Sequence, residues 1–211
     1  MLEFHDIEQN TDEWLKMRSG KLTSSKLGVI MANLGKPFGD PAKKYAVDIA
    51  VEQITGKPIS GGYTNAHMER GHDQEPIARM LYEDETFCDV TNGGFFGDDC
   101  MGCSPDGLVD DCGLIEIKSV IPSVHFASIK RQAFDPAYKW QCIGNLMFTG
   151  REWIDFVSYC EGFPDDKKLF IHRGTRKMYT QDFEVINDRI AQFMQLVNST
   201  KEIILNGSYV N

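Results

Sequence analysis

The stretch Cys103-Ser104-Pro105-Asp106-Gly107-Leu108-Val109-Asp110-Asp111-Cys112-Gly113-Leu114-Ile115-Glu116-Ile117-Lys118 reads as two strands around a turn. Gly107 to Val109 is a short apolar run, Asp110-Asp111-Cys112 a polar turn, and Leu114 to Val120 a longer apolar run. Side chains alternate along a strand, so Glu116 and Lys118 project together while Ile115 and Ile117 point into the core. A three-residue turn sets Asp106 directly opposite Glu116; a two- or four-residue turn shifts it by one. Either way, two carboxylates and one ammonium gather at one end of a hairpin. Phosphodiester hydrolysis uses such a trio. Mg²⁺ takes hard oxygen ligands and keeps several waters, so two carboxylates hold it without filling its shell. An amine beside them orients or helps deprotonate the attacking water and offsets charge in the transition state. Asp-Gly after Pro is also a common turn, and Glu-x-Lys is often a solvated strand face; the spacing of all three residues is what favours catalysis.

Outward from the hairpin, Phe87 to Thr91 and Gly94 to Gly97 read as further strands, with turns at Asn92-Gly93 and Asp98-Asp99. Downstream come a short helix from Ser123 to Arg131, a helix from Pro136 to Phe148 opened by its proline, strands over Trp153–Tyr159 and Leu169–Arg173, and a long amphipathic helix from Asp182 to Asn206 capped by Gly207. Upstream, Thr11 to Arg18 reads as a helix capped by Thr11 or Asn10. A second helix starts at Thr23 and reaches about Asn33. Gly35 to Pro41 is a break, and Ala42 to Ile54 is helical up to Thr55-Gly56-Lys57-Pro58. Ile59 to Tyr63 reads as a loop with a Gly61-Gly62 hinge, and the second half of Asn65–Tyr82 as a packed helix. The order is helices, an antiparallel meander, helix, strands, helix. It predicts an α/β or α+β core with helices on its faces. One domain over residues 1–211 is expected, with a helical part over 1–85, a sheet core over 86–175 and a closing helix over 180–206.

Helix-borne Glu75 supplies a third carboxylate. It stands on the early turns of the apolar-faced helix that leads into the sheet, aimed at a cation on the sheet edge or simply placed where the helix dipole favours it.

Bulk properties narrow the field without choosing. The 211 residues carry a net charge of −9, which argues against a protein that coats nucleic acid nonspecifically yet allows a nuclease with a local basic groove. No run of about 18 apolar residues occurs, and Met1-Leu2-Glu3-Phe4-His5-Asp6 lacks the features of a signal peptide, so a cytoplasmic location is expected. Six cysteines are present; Cys100 and Cys103 have metal-type spacing, but no second pair completes a zinc site, and free thiols are expected.

These residues resemble the PD-(D/E)XK nuclease superfamily and, within it, the lambda-type viral exonucleases, also called YqaJ-like recombinases. The likeness runs from about Gln9 to Thr149. It is carried by Trp14-x-x-x-Arg18, Thr23-x-Ser25, Arg70-Gly71, Glu75, Cys103-Ser104-Pro105-Asp106-Gly107, Glu116-Ile117-Lys118 and Trp140-Gln141. It implies a restriction-endonuclease-like α/β core, a central mixed sheet flanked by helices. It implies catalysis by Asp106, Glu116, Lys118 and Glu75, with Mg²⁺, replaceable by Mn²⁺, on Asp106, Glu116, Glu75 and Ile117. Arg18, Ser25, Ser104 and Gln141 are then expected to bind a 5′-terminal phosphate, and Met68 to wedge between the terminal bases. The activity implied is 5′-to-3′ removal of one strand of linear duplex DNA, leaving a 3′ overhang. Homotrimeric rings around double-stranded DNA, a single-strand annealing partner and a phage or prophage origin in a bacterial host are implied as well. One departure is the glycine-rich Gly35–Asp40 loop, where only Lys36 is basic although DNA contacts are expected there. The competing readings are a structure-specific or RecB-like endonuclease on the same core, and a noncatalytic DNA-binding module.

Overall fold

The structure, a computed structural model, describes residues 2–59 and 66–207, with the side chains of 66–69 and 72 outside the description. The loop expected over 59–63, hinge included, lies outside the described residues apart from Ile59.

The chain opens with β1 (Glu3–His5) and α1 (Asp12–Arg18). Thr11 caps α1 by accepting the Trp14 amide at 3.3 Å, which satisfies one of the free N–H groups of the first turn. After β2 (Leu22–Thr23), the helix expected to run from Thr23 to Asn33 is shorter: a 3₁₀ turn over Ser24–Lys26, then α2 (Leu27–Met31). α3 (Asp40–Thr55) ends on Gly56 at φ 65°, the left-handed position that glycine takes without strain. α4 (Ala66–Thr86) is helical throughout, with Pro76 inside it, rather than in its second half alone. β3 (Val90–Thr91) is shorter than expected. Phe87 sits at φ 55° and is 94% exposed, so it leaves the helix instead of entering a strand.

β4 (Phe95–Gly97), β5 (Met101–Cys103), β6 (Gly107–Val109) and β7 (Gly113–Ser119) follow. α5 (Pro122–Arg131) and α6 (Lys139–Thr149) come next; α6 begins three residues after Pro136, which lies in the preceding turn. β8 (Trp153–Tyr159), β9 (Leu169–Thr175) and α7 (Thr180–Asn206) complete the chain.

The strands form two sheets, not one meander. The main sheet has the order β3-β6-β7-β8-β9 and the smaller one β1-β4-β5-β2. β7 and β8 run parallel, with Glu116 beside Phe156 and Lys118 beside Ser158. Parallel neighbours need a crossover, and α5 and α6 supply it. The N-terminal part is accordingly not all helix, since β1 and β2 pair with strands from beyond residue 94.

Alternation along β7 splits the core in two. Leu114 faces a cluster with Ile143 and Leu146 of α6 and Phe193 of α7, while Ile115 and Ile117 pack with Ala78 and Tyr82 of α4. Both faces of the sheet are covered, which is why β7 is buried on both sides over most of its length. α4 is also pinned by polar contacts. Tyr82 donates to the buried carboxylate of Asp155 at 2.8 Å, and Arg173 donates to both oxygens of that carboxylate at 2.8 and 2.6 Å. The whole is a mixed α/β core flanked by helices, as expected.

Candidate active site

The β6–β7 turn has three residues, and the register pairs Gly107 with Ile115, so Asp106 lies opposite Glu116. Backbone and side chain lock that placement. The Asp106 amide donates to the Ile115 carbonyl at 3.2 Å, and the Ile117 amide donates to Asp106 Oδ2 at 2.6 Å. The turn is held from outside by Arg151, whose Nη1 donates to the carbonyls of Asp110 and Gly113, each at 2.8 Å. Pro105 is held by Gln9, which donates to its carbonyl at 2.8 Å. A Cβ at Gly93 would collide with that same carbonyl, so only glycine lets the 92–94 turn pack there.

Lys118 completes the trio. Its ammonium donates to Glu116 Oε1 and stands 3.7 Å from Asp106 Oδ2. Glu116 is fully buried, an expensive place for a carboxylate unless donors surround it. α6 supplies two more, one turn apart: Gln141 Nε2 to Oε1 at 2.5 Å and Asn145 Nδ2 to Oε2 at 2.7 Å. Burial, with the charge of Asp106 behind it, pushes the Glu116 carboxyl up to about 7. Glu75, reaching in from α4, is pushed to about 7 by the same two causes. Burial works against the Lys118 charge, but Asp106 and Glu116 outweigh it and hold the ammonium above its ordinary value.

The phosphate residues expected from the sequence divide. Arg18 Nη1 donates to Ser104 Oγ at 3.0 Å and Nη2 to Ser25 Oγ at 3.4 Å, so three of the four converge. Gln141, the fourth, is hydrogen-bonded to Glu116. Trp14 joins the cluster, its Nε1 donating to Ser104 Oγ at 2.9 Å while the Arg18 guanidinium lies 4.1 Å from its ring centre. Both hydrogen-bond partners of Arg18 are neutral hydroxyls, and burial lowers its pKa. A half-buried cation with neutral partners suits an anion. Met68 lies on α4, and its side chain is outside the described residues. Ile117 offers only backbone atoms to a ligand. Asp98 is engaged in its own turn, accepting the Cys100 and Met101 amides at 2.8 Å each.

Asn145 and Trp14 are the residues that sequence reasoning left out of the site. Trp14 stood in the resemblance motif without a role. Asn145 lies four residues after Gln141, on the same helix face, and that spacing was the signal available. The cysteines are free thiols; Cys103, Cys142 and Cys160 are buried, but Cys100 and Cys112 are exposed rather than in the core.

Among the described residues no three His, Cys, Asp or Glu side chains are gathered as a ready-made metal cage, and the Lys118 ammonium contacts both Asp106 and Glu116. The donor set nevertheless fits a hard divalent cation. Asp106, Glu116 and Glu75 offer carboxylate oxygens, and a cation would favour the charged forms of the two that burial and the nearby Asp106 charge hold near 7.

A family model described as the YqaJ-like viral recombinase domain matches residues 13–152. Among solved structures the chain is similar to an alkaline exonuclease (LHK-Exo) from Laribacter hongkongensis, with 32% identity over 94% of this chain and 100% of that one and a TM-score of 0.77. The complex of that exonuclease with dAMP gives a TM-score of 0.78 at the same identity and coverage. A phage-related exonuclease from Haemophilus somnus 129PT shares the fold, with 16% identity, 89% and 96% coverage and a TM-score of 0.68. No curated protein matches the chain.

Proposed function

The chain belongs to the YqaJ-like viral recombinase domain family, and from that premise we propose that it is a Mg²⁺-dependent 5′-to-3′ exodeoxyribonuclease. It degrades one strand of linear double-stranded DNA and leaves a 3′ overhang. The observation that carries the reading is the register that sets Asp106 against Glu116, with Lys118 in contact with both. The name of the similar Laribacter protein, an alkaline exonuclease, supports the same chemistry.

Asp106, Glu116, Glu75 and the backbone of Ile117 would hold a divalent ion, which would supply Lewis-acid stabilisation of phosphoryl charge and a more acidic water. Lys118, held as a cation by its two carboxylate neighbours, orients that water and offsets charge on the phosphoryl oxygens rather than abstracting the proton. Gln141 and Asn145 steady Glu116. Arg18, Ser25 and Ser104 grip the terminal 5′ phosphate, with Trp14 bracing Arg18. Ser104 is two residues from Asp106. One short segment therefore carries both the end anchor and a catalytic carboxylate, which supports attack at the first linkage from a 5′ end. The side chain of Met68 would part the terminal bases. We further propose a homotrimeric ring that encloses the duplex, a single-strand annealing protein as partner, a role in phage recombination, and residence in the host cytoplasm. Among the described residues no helix is long and apolar enough to cross a membrane.

A time course on linear duplex DNA, labelled at either the 5′ or the 3′ end, with and without Mg²⁺, tests the reading. The 5′ label should be lost first and only with Mg²⁺, and a closed circular duplex should be spared. Cleavage of the circle, or earlier loss of the 3′ label, contradicts it.

A further inference from the structure

Asn145 is fully buried on α6, yet its packing alone does not account for it. Its Nδ2 donates to Glu116 Oε2 at 2.7 Å, whereas its Oδ1 is buried with no hydrogen-bond partner among the described residues. A buried unpartnered oxygen destabilises a fold, and an apolar side chain of similar volume would avoid that cost. Such a side chain would, however, leave the other end of the contact worse off. Among the described residues Oε2 of the buried Glu116 has no other partner, while Oε1 is shared by Lys118 and Gln141. Turning the amide over is no remedy, because Oδ1 would then face Oε2, acceptor against acceptor. The orientation of Asn145 is therefore dictated by the carboxylate it serves.

We propose that Asn145 is a positioning residue for Glu116, holding Oε2 from the core side so that Oε1 is the oxygen presented to Lys118 and to a divalent cation. The inference rests on the reading of Glu116 as a cation ligand. Gln141 and Asn145 act on opposite oxygens of one carboxylate, and with both in place the group is held against rotation. Asn145 is remote in role from the Arg18, Ser25 and Ser104 cluster, so it governs cation binding and turnover rather than capture of the DNA end.

Asn145→Ala and Asn145→Leu test this. Leucine matches the branched heavy-atom frame of asparagine and leaves no cavity, so it gives a second variant without the donor if the alanine variant melts early; thermal melts establish which variants are folded. Mn²⁺ binding is measured without DNA, by calorimetry or by loss of the free-ion electron paramagnetic resonance signal. Affinity is expected to fall about tenfold or more in the folded variants. At a fixed, subsaturating metal concentration kcat should fall with it, while KM for 5′-phosphorylated ends stays within about twofold of the unmutated protein. Folded variants that bind Mn²⁺ as the unmutated protein does, or that change KM and leave kcat alone, overturn the assignment. An unmutated protein that takes up no Mn²⁺ and needs none for cleavage overturns the metal-nuclease reading instead, a result the variants cannot mimic.

Discussion

Lys118 is closely surrounded: Glu116 accepts from it, Asp106 is 3.7 Å away and the Tyr138 ring centre 5.3 Å. Lys118→Ala is expected to keep the fold and DNA binding and to lower the cleavage rate by at least about 100-fold, checked by single-turnover digestion beside a DNA-binding titration. Undiminished cleavage would remove Lys118 from the chemistry. Arg18 donates to two hydroxyls and, among the described residues, to no carboxylate, so Arg18→Ala should erase the preference for 5′-phosphorylated over 5′-hydroxyl ends. A charged hydrogen bond worth about 1.5–3 kcal/mol corresponds to a preference of about tenfold or more, read from competition between the two substrates. Glu116 and Glu75 give a pH test. Both sit at about 7 in the folded chain, chiefly through burial, and return to about 4.3 when it unfolds. Between those values the folded chain binds more protons, so metal-free stability declines as pH rises through the window. Metal-free Tm should be higher near pH 5.5 than near pH 8. The gain in Tm from Mg²⁺ should be larger near pH 8, because the ion competes with the same protons. Equal gains at both pH values would exclude these carboxylates as ligands.

The β6–β7 hairpin depends on contacts from outside itself. Arg151 lies between α6 and β8, yet its guanidinium spans the three-residue turn, with Asp110 at φ 46° in the left-handed region. Removing the staple frees a strained turn whose length sets the opposition of Asp106 and Glu116. Arg151→Ala is expected to cost about 1.5–3 kcal/mol in denaturant unfolding and to lower kcat more than KM. A variant with full activity and unchanged stability would show that β6 and β7 hold their register unaided. α6 works at the same scale. Its Gln141–Asn145 face meets Glu116, while Ile143 and Leu146 fill the core behind it. A single helix thus secures the sheet and its buried carboxylate.

Two cores on opposite faces of one sheet converge on the carboxylate edge: α4 brings Glu75 from one side, and α6 brings Gln141 and Asn145 from the other. The far end of α7 shows a different surface, with Ile203 72% and Leu205 60% exposed. If the proposed ring forms, light scattering after size exclusion should give a mass three times the 23.9 kDa of the chain, and digestion should be processive when challenged with excess unlabelled DNA. A single-chain mass at working concentration would remove the ring and its account of processivity.

Local pattern sufficed where neighbours in sequence are neighbours in space. The apolar alternation of β7, the three-residue turn and the Thr11 cap rest on contacts a few residues apart, and the hairpin with its Asp106, Glu116 and Lys118 was legible from them. β1 and β2 were not, because each is only two or three residues long and exists by pairing with distant strands; β5 pairs locally with β4, but its three residues, two of them Gly102 and Cys103, carry no strand pattern. The destination of Gln141 and the role of Asn145 were equally hidden: periodicity places both on one helix face, but only packing of α6 against β7 decides that this face meets a buried carboxylate. Sequence alone determined that Asp106, Glu116 and Lys118 meet at one end of the hairpin, because strand alternation and a three-residue turn are local properties of the chain. Tertiary structure decided which side chains hold it in place, since hydrogen bonds across long loops depend on chain crossings that no local pattern encodes.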